Sequence, residues 1–144
     1  MTTDILQPKS GYNRKSMKVV DTISIAELNE MAEKMYGTLV KADIDVVKKI
    51  VIIDMDMHVD GEQELLENGS QQTDVWGINL QPAKFGTDEF IEFDSMINIR
   101  PRQNNLSRSV EDAAVRQKIN DIISGAVHEW AYIWSCEMAV NGHL

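Results

Sequence analysis

Residues 50–60 read IVIIDMDMHVD, and this stretch decides what kind of sheet the chain builds. Its odd positions are apolar throughout, whereas its even positions turn polar after Ile52: Asp54, Asp56, His58 and Asp60. Alternate side chains of a strand point to opposite faces, so a strand here would have one apolar and one acidic face. Because Asp is a poor strand residue, the acidic row predicts a functional site on that face.

Length and composition are those of one globular domain. The chain has 144 residues, of which 43% are hydrophobic and 26% are charged, enough to bury a core without metals or disulfides. The single cysteine, Cys136, has no partner for an internal disulfide and favours a reducing cytoplasm. No apolar run approaches the ~20 residues of a membrane helix, and the first residues lack a signal-peptide pattern. We therefore expect a soluble cytoplasmic protein with no membrane partner.

The balance of charge is strongly acidic, with a formal net charge of −9. Such a charge opposes non-specific binding to nucleic acid, which depends on neutralising phosphates. It keeps a protein soluble, and it would also suit an acidic face that covers a basic partner. Both interpretations stay open at this stage.

Capping motifs and apolar spacing predict three helices. Ser24 and Glu27 form a capping box before a helix at 25–36, and Asp60 is expected to cap a short helix at 61–67. The motif Ser109-Val-Glu-Asp112 is expected to cap a longer helix whose apolar stripe runs from Val115 to Trp130.

Period-two alternation predicts four strands in two hairpins, at 39–46, 50–58, 75–80 and 89–100. The order of elements is helix, hairpin, short helix, hairpin and long helix. This order predicts an α+β fold, with an antiparallel four-stranded sheet and helices packed on its apolar face.

The predicted domain organisation has three parts. Residues 1–16 are expected to be a flexible arm, 17–125 a single α+β domain, and 126–144 a helical aromatic extension. Three aromatic side chains of the extension, Trp130, Tyr132 and Trp134, indicate either an interface for a homo-oligomer or a helix that continues over the core.

If the apolar rows all face the helices, the opposite face gathers Asp54, Asp56, His58, Asn79, Glu92, Asp94, Asn98 and Arg100. Oxygen ligands of this kind favour Mg²⁺ or Mn²⁺, and the expected metal ligands are Asp54, Asp56, Glu92 and Asp94. The expected catalytic residues are His58, Asp56 and Asp94, with His58 as the proton shuttle. The alternative is that this is the solvated face of a two-layer protein.

Three arginines precede the last helix: Arg100, Arg102 and Arg108. Arginine side chains and a helix N-terminus bind phosphate or carboxylate, so these residues, with Asn79 and Asn98, are expected to hold an anionic ligand. The alternative is that the arginines pair with the chain's own carboxylates.

Four stretches of the sequence are distinctive together: HVD at 58–60, DVWGINL at 74–80, IEFDSMINIRP at 91–101 and NLSRSVED at 105–112. They resemble a small prokaryotic family that is catalogued as a domain of unknown function, and the resemblance runs from about residue 17 to about residue 125. It implies a compact α+β domain whose signature contains His58, Asp60, Trp76, Asn79, Glu92, Asp94, Asn98, Arg100 and Arg108. It implies no activity, and the sequence departs from the family pattern at Gln81 and Leu106.

Two functions are consistent with the sequence. The first is a polar ligand site on one sheet face, with divalent-metal-assisted hydrolysis of a phosphoryl or phosphodiester group. The second is a non-catalytic regulatory module that uses its acidic face to bind a basic protein.

Overall fold

The computed structural model describes residues 16–34 and 37–129. The predicted N-terminal arm, apart from Ser16, lies outside the described residues, and so does the predicted aromatic extension beyond Glu129. Within the described part, no helix is long and apolar enough to cross a membrane.

A five-stranded antiparallel sheet forms the centre of the domain, so the predicted α+β class is confirmed with five strands rather than four. Along the chain the elements are β1 (Lys18–Val20), β2 (Ile23–Ser24), α1 (Ile25–Lys34), β3 (Val40–Asp45), β4 (Ile50–Ile53), α2 (His58–Glu67), β5 (Val75–Leu80), β6 (Ile91–Glu92), α3 (Ala113–Ala126) and β7 (Val127–His128). The strand order in the sheet is β1-β4-β3-β5-β6, and β2 and β7 form a separate parallel pair.

The main hydrophobic core lies between one face of the sheet and the helices α1 and α3. Ala42 of β3 pairs with Ile53 of β4 and Ile78 of β5, so the three side chains share that face. Leu28 of α1 and Ile119 of α3 are fully buried in the same cluster. This arrangement is the predicted one, with helices over the apolar face.

The opposite face of the sheet is covered as well, by α2. Ile52 and Val75 on this face pack with Met55 and with Leu65 of α2 in a second, smaller core. Asp43 lies in the same row, directly beside Ile52, and is fully buried. The face for which the sequence predicts a polar ligand site or a solvated surface is therefore covered by a helix, and polar groups on it, such as Asp43, are buried.

The predicted strand at 50–58 is wrong beyond Ile53. Asp54 has φ +71°, in the left-handed region that an extended strand cannot contain, and Asp tolerates it better than most residues. The helix α2 then begins at His58, with Met57 rather than Asp60 as its N-cap, and Asp60 lies in the first turn. The alternation of apolar and polar residues continues through this bend, so the sequence pattern mimics a single strand.

The predicted strand at 89–100 is also wrong over most of its length, since β6 contains only Ile91–Glu92. Two 3₁₀ turns follow, Met96–Asn98 and Pro101–Gln103. The amide of Asn98 accepts from the N–H of Gly77 and donates to its C=O, both at 2.9 Å, as a neighbouring strand would do. Side chains thus complete the edge of β5 that β6 leaves unpaired.

The helix α1 starts at the predicted capping box, in which Ser24 Oγ accepts from the Glu27 N–H and Glu27 Oε1 accepts from the Ser24 N–H, each at 3.1 Å. The cap of α3 is Asp112, whose carboxylate accepts from the N–H groups of Ala114 and Val115, rather than Ser109. The predicted stripe to Trp130 is shortened, because α3 ends at Ala126 and the chain continues as β7.

Candidate functional site

The buried imidazole of His58, the first residue of α2, connects β3 to β5. His58 Nδ1 lies 2.9 Å from Asp43 Oδ1, and His58 Nε2 lies 3.0 Å from Asn79 Oδ1. Asp43 is fully buried, while His58 and Asn79 are 9% and 6% exposed, so water has little access to either ring nitrogen. With both nitrogens occupied by protein groups, His58 has none left to contact a substrate.

Two glycines allow this close packing. A Cβ on Gly77 would lie 2.7 Å from Ser95 Oγ and 3.0 Å from His58 Nδ1. A Cβ on Gly61 of α2 would lie 2.5 Å from Asp43 Oδ2. Since real Cβ atoms do not approach so closely, glycine at both positions is what lets α2 and the turn after β6 reach the sheet.

Asn79 continues the chain of contacts to the surface. Its Nδ2 donates to Glu92 Oε1 at 2.9 Å and to the backbone O of Asp94 at 3.2 Å. Both partners are acceptors, which fixes the orientation of the amide and leaves Oδ1 facing His58. Glu92 is half-buried, so the contacts lead from a buried carboxylate to a partly exposed one.

The partners of His58 determine where its protons lie. Oδ1 of Asn79 is an acceptor, so Nε2 must carry a proton, and a second proton lies between Nδ1 and Asp43 Oδ1. Burial raises the pKa of Asp43 to about 6, although the hydrogen bond and the charge of His58 oppose the rise. The other oxygen of Asp43, Oδ2, is buried, and no hydrogen bond of normal geometry reaches it in the described part of the chain, although the backbone of Glu62 also acts to lower the pKa. Burial of a half-satisfied carboxylate is the physical reason for the high pKa.

The raised pKa of Asp43 predicts the direction in which the free energy of unfolding changes with pH. The folded state binds the Asp43 proton more tightly than the unfolded state, whose pKa is near 3.8, so the contribution of Asp43 is full below about pH 3.8 and is lost as pH rises through about 6. We expect wild type to lose stability relative to Asp43→Asn, which does not titrate, across that range. Urea unfolding of both proteins at several pH values measures the difference, and a gap that stays constant or moves the other way would contradict the prediction.

Arg108 lies at the surface end of these contacts. Its Nε donates to Asp94 Oδ1 at 2.5 Å, and this hydrogen bond, together with the charge of Asp94, raises the pKa of the guanidinium. Glu92 adds a further electrostatic attraction. Within the described residues, no hydrogen bond engages Nη1 or Nη2 of Arg108. The side chain is thus oriented through Nε, while its two terminal nitrogens remain available.

The other two predicted ligand-binding arginines are placed differently. Arg100 is buried, and its guanidinium donates to three backbone oxygens, of Ile97, Gln72 and Val75, and lies 4.4 Å from the centre of the Trp76 ring. Arg100 therefore holds the fold together, as Asn98 does. Arg102 is exposed in the following turn.

The predicted helix N-terminus is not available to an anion either. The carboxylate of Asp112 already occupies the first N–H groups of α3. The carboxylate of Glu111 accepts from the N–H groups of Leu106 and Ser107. The side chain of Ser107 is the main cause of the lowered pKa of Glu111, and the two N–H groups lower it further.

The four predicted metal ligands fall into two separate pairs. Asp54 follows β4 near Lys34 and Lys18; burial raises its pKa and the two lysines oppose the rise. Glu92 belongs to β6, three strand positions from β4, a separation of about 14 Å at the usual strand spacing. Among the described residues, no group of three or more His, Cys, Asp or Glu side chains is arranged to hold a metal ion.

The structure therefore unites five of the predicted site residues: His58, Asn79, Glu92, Asp94 and Arg108. It does not unite them with Asp54 or Asp56. The partner that sequence reasoning missed is Asp43, the acceptor for His58. The available signal was the pair of aspartates in VKADIDV, which share one side of the strand with Lys41, opposite the apolar row of Val40, Ala42 and Ile44.

Comparison with known protein families gives a match over most of the chain. A family model described as a protein of unknown function (DUF5674) matches residues 17–126. No curated protein and no solved structure matches the chain.

Proposed function

We propose that this chain, which belongs to the DUF5674 family of proteins of unknown function, binds a small anionic ligand at a site formed by Arg108, Glu92 and Asp94. The proposal keeps the polar ligand that the sequence predicts. It places the ligand at the surface end of the buried contacts rather than across an open sheet face.

The main observation in support of the proposal is that Arg108 is held through Nε, while Nη1 and Nη2 make no hydrogen bond within the described residues. A guanidinium that is held through Nε presents Nη1 and Nη2 as a pair of parallel donors, which is the geometry that phosphate, sulfate and carboxylate groups accept. The side chain is about half exposed, so a ligand can reach it without any rearrangement of the fold.

Glu92 adds selectivity next to the arginine. Asn79 holds one of its carboxylate oxygens, and the carboxylate is close enough to influence the charge of Arg108. We infer that the preferred ligand carries a hydroxyl or amino group beside its anionic group, so that Glu92 accepts a hydrogen bond while Arg108 binds the anion.

Beyond anion binding, the sequence makes a more specific prediction, which is metal-assisted hydrolysis of a phosphoryl group. Glu92 and Asp94 are the two predicted metal ligands that lie together, since Asn79 Nδ2 contacts the side chain of one and the backbone of the other. Glu92 and Asp94 would hold a divalent cation here, and the cation would supply positive charge for a bound phosphate. The predicted binding of a basic protein has less support, because α2 covers the acidic face and Asp43 and Asp45 are buried.

Titration with inorganic phosphate, followed through the Arg108 Nε–H resonance and the melting temperature, tests the proposal. Wild type should show saturable binding, and Arg108→Ala should lose it, because no other group of the site supplies the parallel donors. Lys118→Ala is the matched control, since it removes one exposed positive charge from α3. Repeating the titration with Mg²⁺ tests the cation.

Two outcomes would overturn the binding proposal. One is the absence of a phosphate response in wild type. The other is an equal loss of binding in the Arg108 and Lys118 variants, which would show a response to net charge and not to this site.

A further inference from the structure

We propose that the chain has a second ligand site, in a cavity between α3 and the loop that joins β5 to β6. The ligand that fits it is an aromatic monocarboxylate, a flat apolar ring system with one acidic group. The cavity has a volume of about 690 Å³. Sites for small molecules usually measure about 300–1,000 Å³, so one or two rings can be enclosed. Arg108 does not line this cavity, and the inference does not depend on the anion site.

The apolar wall of the cavity belongs to the edge of the main core. Phe90 and Ile123 are buried core side chains that line it. Phe85 stands at the rim, 39% exposed, and its ring meets that of Phe90 edge to face, with the ring centres 5.1 Å apart. An aromatic ligand that enters covers this surface and adds a further aromatic contact.

A row of polar side chains on α3 forms a second wall. Arg116, Asn120 and Ser124 follow one another at intervals of four residues, which places them on one face of the helix, and all three line the cavity. Within the described part of the chain, no hydrogen bond engages the side chain of Asn120 or Ser124. The cavity thus combines aromatic surface with a few polar groups that can still bind a ligand, which is the usual composition of a small-molecule site.

The guanidinium of Arg116 supplies a fixed positive charge. Its Nε donates to the backbone O of Val110 at 2.6 Å, and its Nη2 donates to Ser109 Oγ at 2.7 Å. Its Cζ lies 4.3 Å from the centre of the Phe93 ring, which also lines the cavity. These contacts hold the group at the cavity wall. Nη1 has no hydrogen-bond partner among the described residues, so its two N–H groups can donate to an acidic group of the ligand.

Two features select a monocarboxylate over a phosphate. The free nitrogen of Arg116 serves one carboxylate oxygen, and the amide of Asn120, about one helical turn away, can donate to the other, whereas a phosphate dianion needs more donors than this wall offers. Asp88, an exposed carboxylate of the loop, also lines the cavity. Its negative charge opposes a dianion more strongly than a monoanion.

Titration of the full chain with naphthalene-2-carboxylate, followed by calorimetry and by the Asn120 side-chain amide resonance, tests the proposal. Binding should be saturable and should shift this resonance. Naphthalene-2-carboxamide has the same shape without the charge and should bind about tenfold more weakly, the effect of losing a charged hydrogen bond. Acetate has the charge without the rings and should show no saturable binding over the same concentrations.

One pair of variants tests the charge. Arg116→Gln should weaken the binding of the carboxylate about tenfold and leave that of the carboxamide unchanged, because only the carboxylate uses the guanidinium. Unchanged carboxamide binding also shows that the cavity of the variant is intact. Lys118→Ala, which removes an exposed charge of α3 outside the cavity, should change neither affinity.

A second pair tests the aromatic wall. Phe85→Ala should weaken the binding of both naphthalene compounds, because it removes the ring at the rim. Leu106→Ala is the matched control, since Leu106 is an apolar side chain that is 70% exposed and does not line the cavity. It should weaken neither compound.

Three results would overturn the proposal. The first is the absence of naphthalene-2-carboxylate binding to the full chain, which would leave the cavity to another occupant. The second is an unchanged preference for the carboxylate over the carboxamide in Arg116→Gln. The third is an equal loss of affinity in the Phe85 and Leu106 variants, which would show binding to exposed apolar surface in general.

Discussion

Replacing Arg100 by alanine should lower the free energy of unfolding by about 3–5 kcal/mol, the usual effect of breaking a buried charged network. The guanidinium donates to the backbone oxygens of Ile97, Gln72 and Val75, and all three lose a charged donor in the variant. Glu62 would lose its cationic partner as well. Arg100→Lys should recover little of the loss, since one ammonium group cannot reach three separated carbonyls.

Arg102→Ala provides the control for this experiment. It lies two residues along the chain in the turn Pro101–Gln103, carries the same charge and is exposed, so its effect should stay within about 0.5 kcal/mol. Urea unfolding followed by circular dichroism measures both variants. Similar, small effects of the two substitutions would show that Arg100 does not stabilise the fold.

Asn98→Ala should have the second largest effect, a loss of about 2–4 kcal/mol. The variant leaves both the N–H and the C=O of Gly77 without partners inside the protein, and Arg108 loses the donor to its backbone oxygen. Asn29→Ala, on the exposed side of α1, is the control, and it should be neutral or slightly stabilising because alanine is the better helix former. If Asn98→Ala unfolded at the same urea concentration as wild type, the edge of β5 would have to be satisfied in another way.

The elements that sequence predicts well are those whose pattern is local. The strand β5 has its predicted limits, and the capping box of Ser24 and Glu27 starts α1 where it should. The stretches at 54–58 and 93–100 fail because their alternation mimics a strand, while the contacts that decide their shape are distant. Asp54 takes a left-handed conformation, and Asn98 and Arg100 bond to the peptide groups of β5.

The same distinction between local patterns and distant contacts applies to the candidate site. His58, Asn79, Glu92, Asp94 and Arg108 could be selected from the sequence as polar residues in unusual positions, and the structure brings them together. Asp43 could not be assigned, because only the packing of α2 against β3 places its carboxylate against His58. Asp56 is also an aspartate in an alternating stretch of the sequence, but no helix of the described part packs over it, and it lies exposed outside the site.

The way in which β5 is completed has a consequence for the protein at high concentration. The last strand of this sheet, β6, has two residues, and an unpaired strand edge is a template for aggregation. At Gly77 the amide of Asn98 forms the hydrogen bonds that a pairing strand would form. Because it is a side chain, it presents no further strand edge to another molecule. The side chain therefore terminates the sheet as well as stabilising it, and a chain without it exposes a donor and an acceptor spaced for a foreign strand.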